Sequence, residues 1–172
     1  SKLVQYEINL AKSNGKGPED FLEHPDSLQK EIVGKVYFQY QKIMKGCNSI
    51  DFEDILNLTL ILFEKFSKVM ESLTERFLYI MVDEFQDTNR TQYRLLKHLT
   101  KCYRNLCVVG DDDQSIYGWR GAEIRNIFDF ERDYPEVKFV RLEKNYRSTQ
   151  KILSAANQVI SENTQRMPKK LW

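Results

Sequence analysis

The sequence predicts an α/β fold: a parallel sheet with flanking helices, set behind an all-helical portion. Three observations carry this. Leu78-Tyr79-Ile80-Met81-Val82 is a short apolar run that ends abruptly in Asp83-Glu84-Phe85-Gln86-Asp87. A second run, Leu106-Cys107-Val108-Val109, ends in Gly110-Asp111-Asp112-Asp113-Gln114, with a helical pattern between the two. Strands joined by a helical crossover pair in parallel. Everything before Leu78 shows helical spacing alone. In open α/β sheets ligands sit beyond the carboxyl ends of the strands, so both runs deliver acids to the place where a site is expected.

In chain order, Leu3, Val4, Ile8 and Ala11 mark a first helix, broken by Asn14-Gly15-Lys16-Gly17-Pro18. Pro18 opens a short turn of helix through Leu22. Ser27 caps a long amphipathic helix carrying Ile32, Val33, Val36, Tyr37, Tyr40, Ile43 and Met44, ended by Gly46. Asp51 caps the next, whose apolar residues (Phe52, Ile55, Leu56, Leu58, Leu60, Ile61, Phe63) surround it and predict burial on all sides. A short amphipathic piece from Lys68 to Arg76 leads into the first strand. Thr88 is expected to cap a helix bearing Tyr93, Leu95, Leu96 and Leu99. After the second strand, Glu123 to Tyr134 reads as a helix stopped by Pro135. Val137 to Leu142 alternates like a third strand, and Ser148 or Thr149 caps a last helix to about Asn163. The tail from Arg166 to Trp172 is basic and extended.

The chain has 172 residues, 41% hydrophobic and 30% charged, with a net charge of +1. That is long enough for a substantial core, and any nucleic-acid footprint must be local rather than global. No stretch has the length of a membrane span and no signal peptide is visible. The three cysteines, Cys47, Cys102 and Cys107, form no C-x-x-C; Cys107 is expected as a buried free thiol, and a reducing, cytoplasmic location fits. His24 and His98 have no partner in sequence and read as structural or surface residues. The chain opens at Ser1 in mid-helix and stops just after a basic turn, so it is expected to be a piece of a longer protein.

The acids suit phosphoryl-transfer chemistry. Asp83 is placed to help hold Mg²⁺ and Glu84 to polarise an attacking water; a strand end that meets solvent gives the same two letters. Gln114, with a donor and an acceptor, suits sensing a terminal phosphate, although Asp111 to Gln114 also reads as a solvated acidic loop. Tyr117 and Trp119 flank Gly118 and precede Arg120. Exposed, they make a stacking platform for bases, each stack contributing about 1–3 kcal/mol; packed inward beside Ile116, itself expected in the core, they are ordinary filling. Tyr146 can lie on an adenine and Arg147 can reach a phosphate as an arginine finger, an effect on the order of 10³–10⁵ in rate; the same residues also fit a helix-entry turn. Lys169 and Lys170 in the tail read as a solvated turn in preference to phosphate contacts.

Taken together, these stretches resemble the superfamily 1 DNA helicases of the UvrD/Rep/PcrA branch, over essentially the whole chain. Val82 to Asn89 (VDEFQDTN) is similar to motif II, the Walker B segment; Val109 to Ala122 (VGDDDQSIYGWRGA) to motif III; Leu142 to Thr149 (LEKNYRST) to motif IV. Asp51 to Leu56 (DFEDIL) is similar to a short acidic signature that precedes motif II. Gly118 departs from the arginine or similar residue common there. The resemblance implies a partial RecA-like fold: residues 1–50 from a helical accessory subdomain, 51–142 the second half of the first motor domain, and 143–172 the start of the second. It implies Asp83 on Mg²⁺, Glu84 as general base, Gln114 on the γ-phosphate, Tyr146 on the adenine, Arg147 across the cleft, and Tyr117 and Trp119 on single-stranded DNA. Arg120 would tie the stacking loop to the nucleotide site. The activity implied is ATP-dependent 3′→5′ movement on single-stranded and partly duplex DNA.

No G-x-x-x-x-G-K-[ST] phosphate loop occurs in the sequence, so the chain by itself is expected neither to bind nor to hydrolyse ATP, and to expose an unpaired sheet edge prone to self-association. The competing readings are the helicase subunit of a helicase–nuclease complex, a single-stranded-DNA-binding module without catalysis, and a two-metal nuclease built on the scattered aspartates.

Overall fold

The structure, a computed structural model, describes residues 2–23, 25–164, 166, 167, 169, 171 and 172. His24 and Lys170 lie outside them. Among the described residues the chain is mostly helical, with one small parallel sheet. Five helices come first: α1 (Lys2–Ser13), α2 (Glu19–Leu22), α3 (Leu28–Gly46), α4 (Phe52–Lys65) and α5 (Ser67–Arg76). Then come β1 (Ile80–Val82), α6 (Arg90–Leu99), β2 (Leu106–Val108), α7 (Arg125–Asp133) and α8 (Gln150–Ile160). Among the described residues no helix is long and apolar enough to cross a membrane.

Two apolar clusters hold the molecule. The first joins α1, α2 and α3 through Ile8, Ala11, Val33 and Tyr37, with Val4, Phe21 and Tyr40 against them. Beside it lies a polar knot. Lys12, with no exposed side-chain surface, donates to Asp51 Oδ2 at 2.6 Å and to Asp54 Oδ1 at 2.7 Å. Tyr40 Oη also donates to Asp51 and Gln41 Nε2 to Asp54. The two aspartates form the capping box of α4 at the same time. Asp51 is therefore the cap the sequence predicts and also a counter-ion, which the sequence left unseen.

The second cluster is aromatic: Phe85, Tyr93, Phe130 and Tyr134, with Val82, Leu96, Leu106, Val108, Ile127 and Val137 packed on it. Phe85 meets Tyr93 and Phe130 edge-on, and each such pair adds about 0.5–1.5 kcal/mol beyond buried area. This cluster covers one face of the sheet. β1 and β2 pair in parallel with Ile80 opposite Leu106, Met81 opposite Cys107 and Val82 opposite Val108.

Side chains alternate along a strand, so Ile80, Val82, Leu106 and Val108 face the cluster while Met81 and Cys107 face out and are exposed. Cys107 is thus not the buried thiol expected; Cys47 and Cys102 are exposed as well.

Other expectations change too. α4 is buried along one stripe (Leu60, Phe63), whereas Phe52, Ile55, Leu58 and Ile61 are exposed, so its apolar girth exceeds what these 172 residues cover. Residues 137–142 form no strand: Val137 docks on the aromatic cluster, but Phe139, Val140 and Leu142 are exposed and unpaired. The cap of α6 is Asn89 with Gln92, a capping box, because Thr88 spends its hydroxyl on Phe85 O. α7 begins at Arg125, two residues later than expected.

Candidate functional site

The strand tips are tied together first by backbone. Val109 N donates to Val82 O at 2.8 Å and Phe85 N to Val109 O at 2.9 Å. Asp83 follows at once, exposed, its Oδ1 accepting from Glu84 N. Glu84 adopts the left-handed conformation (φ 51°, ψ 43°), which costs a non-glycine residue on the order of 1 kcal/mol and is concentrated at functional sites. That twist lets the Glu84 carboxylate accept from Gln86 Nε2 at 2.6 Å.

Gln86 is almost wholly buried, 1% exposed, and its Oε1 accepts from Asp111 N at 2.9 Å. Gly110 makes this possible: a Cβ there would stand 2.9 Å from Gln86 Oε1. Asp111 Oδ2 in turn accepts from Gln114 Nε2 at 2.8 Å. A continuous chain of bonds, Glu84–Gln86–Asp111–Gln114, thus joins the acid after β1 to the amide after β2. Asp83 stands next to this chain and is joined to it only through Glu84. Burial opposes the charge on Asp111, but bonds from Lys169 and Gln114 outweigh it and lower its pKa from 3.8.

Beyond the β2 tip opens a cleft of about 480 Å³, lined by Asp111, Gln114, Leu142, Lys144, Asn145, Tyr146, Arg147 and Leu171. It brings three of the expected residues together: Gln114 on one side, Tyr146 and Arg147 on the other. Asn145 Oδ1 accepts from the backbone N–H of Arg147 and of Ser148, a turn that leaves the Tyr146 and Arg147 side chains exposed. Lys144 Nζ lies over the Tyr146 ring at 5.2 Å and the Trp172 ring at 5.7 Å. Carboxylate oxygens at the strand tips are the hard donors Mg²⁺ takes, so Asp83 and its neighbours fit that ion chemically.

Tyr117, Trp119 and Arg120 form a second group. The Arg120 guanidinium lies over both rings, 4.8 Å from Trp119 and 5.6 Å from Tyr117. Trp119 is 62% exposed and Ile116, expected inside, is 70% exposed, so this loop is a surface platform and not core. It is pinned at its base: Ala122 bridges Asn89, and Glu123 N donates to Thr88 O. Asn126, fully buried, donates to Thr88 O, Thr88 Oγ1 and Asn89 O. Gly121 (φ 90°) abuts the end of α1, where a Cβ would stand 2.8 Å from Ser13 Cβ. The loop after β2 thus rests on the segment after β1.

Sequence reasoning missed three contributors. Gln86 sits inside a motif but gave no sign of bridging it. Arg166 and Lys169 pair with Asp113, Asp112 and Asp111; the one signal was a basic tail and a run of three acids in the same chain.

Acids and amides are gathered at the C-terminal ends of paired parallel strands, beside a cleft and a ring-bearing loop, in a mostly helical protein with a small parallel sheet; strand ends of this kind are where α/β proteins take their ligands. The chain matches the UvrD/REP helicase N-terminal domain over residues 1–135, and it belongs to that family. It is 49% identical over 165 residues, 96% of its length, to the ATP-dependent DNA helicase PcrA of Staphylococcus epidermidis, and 49% identical to that of Bacillus subtilis over the same length. PcrA of Staphylococcus aureus is 48% identical. The chain spans only 22–23% of the length of these relatives.

Proposed function

We propose that this chain is the central part of an ATP-dependent DNA helicase that moves 3′→5′ on single-stranded DNA, opens duplex ahead of it and works in the cytoplasm. Residues 51–142 are the second half of a RecA-like motor domain, 1–50 part of its helical accessory subdomain, and 143–172 the start of the second motor domain. The observation that carries this reading is the cleft shared by Gln114, Tyr146 and Arg147, joined by the Gln86 bridge to Glu84.

In this reading Asp83 holds the magnesium of Mg-ATP, which when bound neutralises charge on the phosphates. Glu84, oriented by Gln86, takes the proton of the attacking water. Gln114 contacts the terminal phosphate, Arg147 reaches it from the facing side, and Tyr146 stacks on the adenine. The exposed rings of Tyr117 and Trp119 stack on bases, and Arg120 links that loop to the nucleotide side. Gln114 lies three residues before Tyr117, so nucleotide state and grip on DNA meet in one short segment.

The test is Glu84→Gln in the whole protein. DNA-stimulated ATP hydrolysis is expected to fall by on the order of 10²–10⁴, the size of general-base catalysis, with single-stranded DNA still bound. Hydrolysis near the parent rate rejects the assignment. A whole protein that binds single-stranded DNA but neither hydrolyses ATP nor unwinds duplex favours a second reading, a DNA-binding module, for which the exposed Trp119–Arg120 pair is the supporting feature. The 172-residue chain alone is expected to hydrolyse no ATP.

A further inference from the structure

The tail carries two cations to the tip of β2. Arg166 lays Nε and a terminal nitrogen on the two Asp113 oxygens at 2.9 and 2.7 Å. Met167 N donates to Asp112 Oδ2 at 2.7 Å. Lys169 Nζ lies 2.6 Å from Asp111 Oδ1 and 3.2 Å from Asp113 Oδ2, and it also bonds Asp112. Three adjacent carboxylates with oxygens within 4.8 Å of one another would draw in a divalent cation, but here two side-chain cations of the same chain occupy them.

The same tail is fastened to the facing wall of the cleft. Trp172 N donates to Glu143 O, Asn145 N to Trp172 O, and Asn157 Nδ2 to Leu171 O. The two backbone bonds flank Lys144 in the pattern of a parallel pair. Residues 143–145, α8 and 171–172 therefore hold together, and the ion pairs at Arg166 and Lys169 join that body to the end of β2.

Asp111 is the point where this latch meets the cleft. One of its oxygens faces Lys169 and the other accepts from Gln114 Nε2. Burial alone would weaken the Lys169 ammonium, yet its bonds to Asp111 and Asp112 raise its pKa above 10.5, so the latch stays charged at neutral pH.

We propose that Lys169, seconded by Arg166, is a positioning residue: by fixing the Asp111 carboxylate it fixes which way the Gln114 amide faces, and so makes Gln114 dependent on the docking of the 143–172 segment. This rests on the reading of Gln114 as the residue that meets the terminal phosphate. Lys169 touches no reacting atom; it acts through Asp111. Undocking frees the Gln114 amide to turn, and redocking aligns it again.

The experiment uses the whole protein with saturating single-stranded DNA. Lys169→Ala is expected to lower kcat for ATP hydrolysis by on the order of 10- to 100-fold, the cost of a misplaced catalytic group, with KM for ATP and DNA affinity little changed. Lys169→Arg, which keeps the charge, recovers most of the rate. In the same proteins, hydrogen exchange of the peptide spanning Asp111 to Ser115 speeds up in Lys169→Ala and returns in Lys169→Arg. Parent kcat in Lys169→Ala, or a loss confined to KM, overturns the proposal.

If Lys169→Ala fails to fold, Asp111→Asn takes its place: it keeps an acceptor for Gln114 and removes the one carboxylate charge through which Lys169 reaches Gln114, leaving Asp112 and Asp113 on the lysine, and the same losses are expected. Failure of the parent reading looks different. There Glu84→Gln leaves hydrolysis intact, and the exchange measurement alone then decides whether the latch orders Gln114: unchanged exchange at 111–115 rejects it.

Discussion

A lysine from which water is excluded sets the strongest residue-level expectation. Lys12 faces two aspartates that form an ion pair with no other cation among the described residues. Lys12→Ala leaves buried charge without a partner, and urea unfolding is expected to show a loss of about 3–5 kcal/mol. Asp51 and Asp133 behave like Asp111. Burial opposes each carboxylate, but the bonds from Lys12 to Asp51, and from Lys97 and Tyr93 to Asp133, prevail and lower the pKa from 3.8. A carboxyl whose folded pKa is lowered adds stability that is complete above its unfolded value and lost as pH falls through the folded one. The urea midpoint is therefore expected to hold from neutrality down to about pH 4 and to drop below it.

Single residues were legible where the chemistry is local. Asp51 as a cap and Gln114 as a cleft amide follow from their neighbours in sequence. Lys12 opposite Asp51, 39 residues away, and Lys169 opposite Asp112, 57 away, follow only from the fold.

At the level of elements, the strands show what periodicity can and cannot tell. Both apolar runs contain a strand, though β1 takes only Ile80–Val82 of the run from Leu78 and β2 stops at Val108, one residue short, and both runs end in acids. The expectation of a buried Cys107 rested on unbroken hydrophobicity, the mark of a strand covered on both faces, yet Met81 and Cys107 are exposed and only the face of Ile80, Val82, Leu106 and Val108 is covered. The prediction is that all three thiols, Cys107 included, react with a thiol reagent in the native chain without denaturant. Residues 137–142 alternate as a strand should, but alternation supplies no partner, and without one the segment stays extended and unpaired. The α6 cap moved one residue because Thr88 is drawn back to Phe85 O. Asn89→Ala removes the half of that capping box in which Asn89 Oδ1 accepts from Gln92 N, and is expected to cost about 1 kcal/mol in thermal or urea unfolding.

Across the whole molecule, the parts are two packed clusters, a cleft, and a ring-bearing loop on the surface. Trp119→Ala in the whole protein is expected to weaken single-stranded DNA binding by about 1–3 kcal/mol, whatever the base sequence, because stacking reads no base edge; titration with fluorescent oligonucleotides of differing composition checks this. The cleft as a whole was only half visible beforehand. Its lining residues other than Leu171 were in view as motifs, but the buried amide that links the two tips was not, since a glutamine between a phenylalanine and an aspartate announces nothing about where its side chain goes.

The contact between Gly121 and Ser13 leaves no slack. The turn that carries the aromatic platform rests directly on the last residue of α1, and Lys12, one residue earlier in α1, is bolted to the start of α4. A shift of the platform towards α1 therefore meets Ser13 at once, and the neighbouring Lys12 hands it on to the first turn of α4.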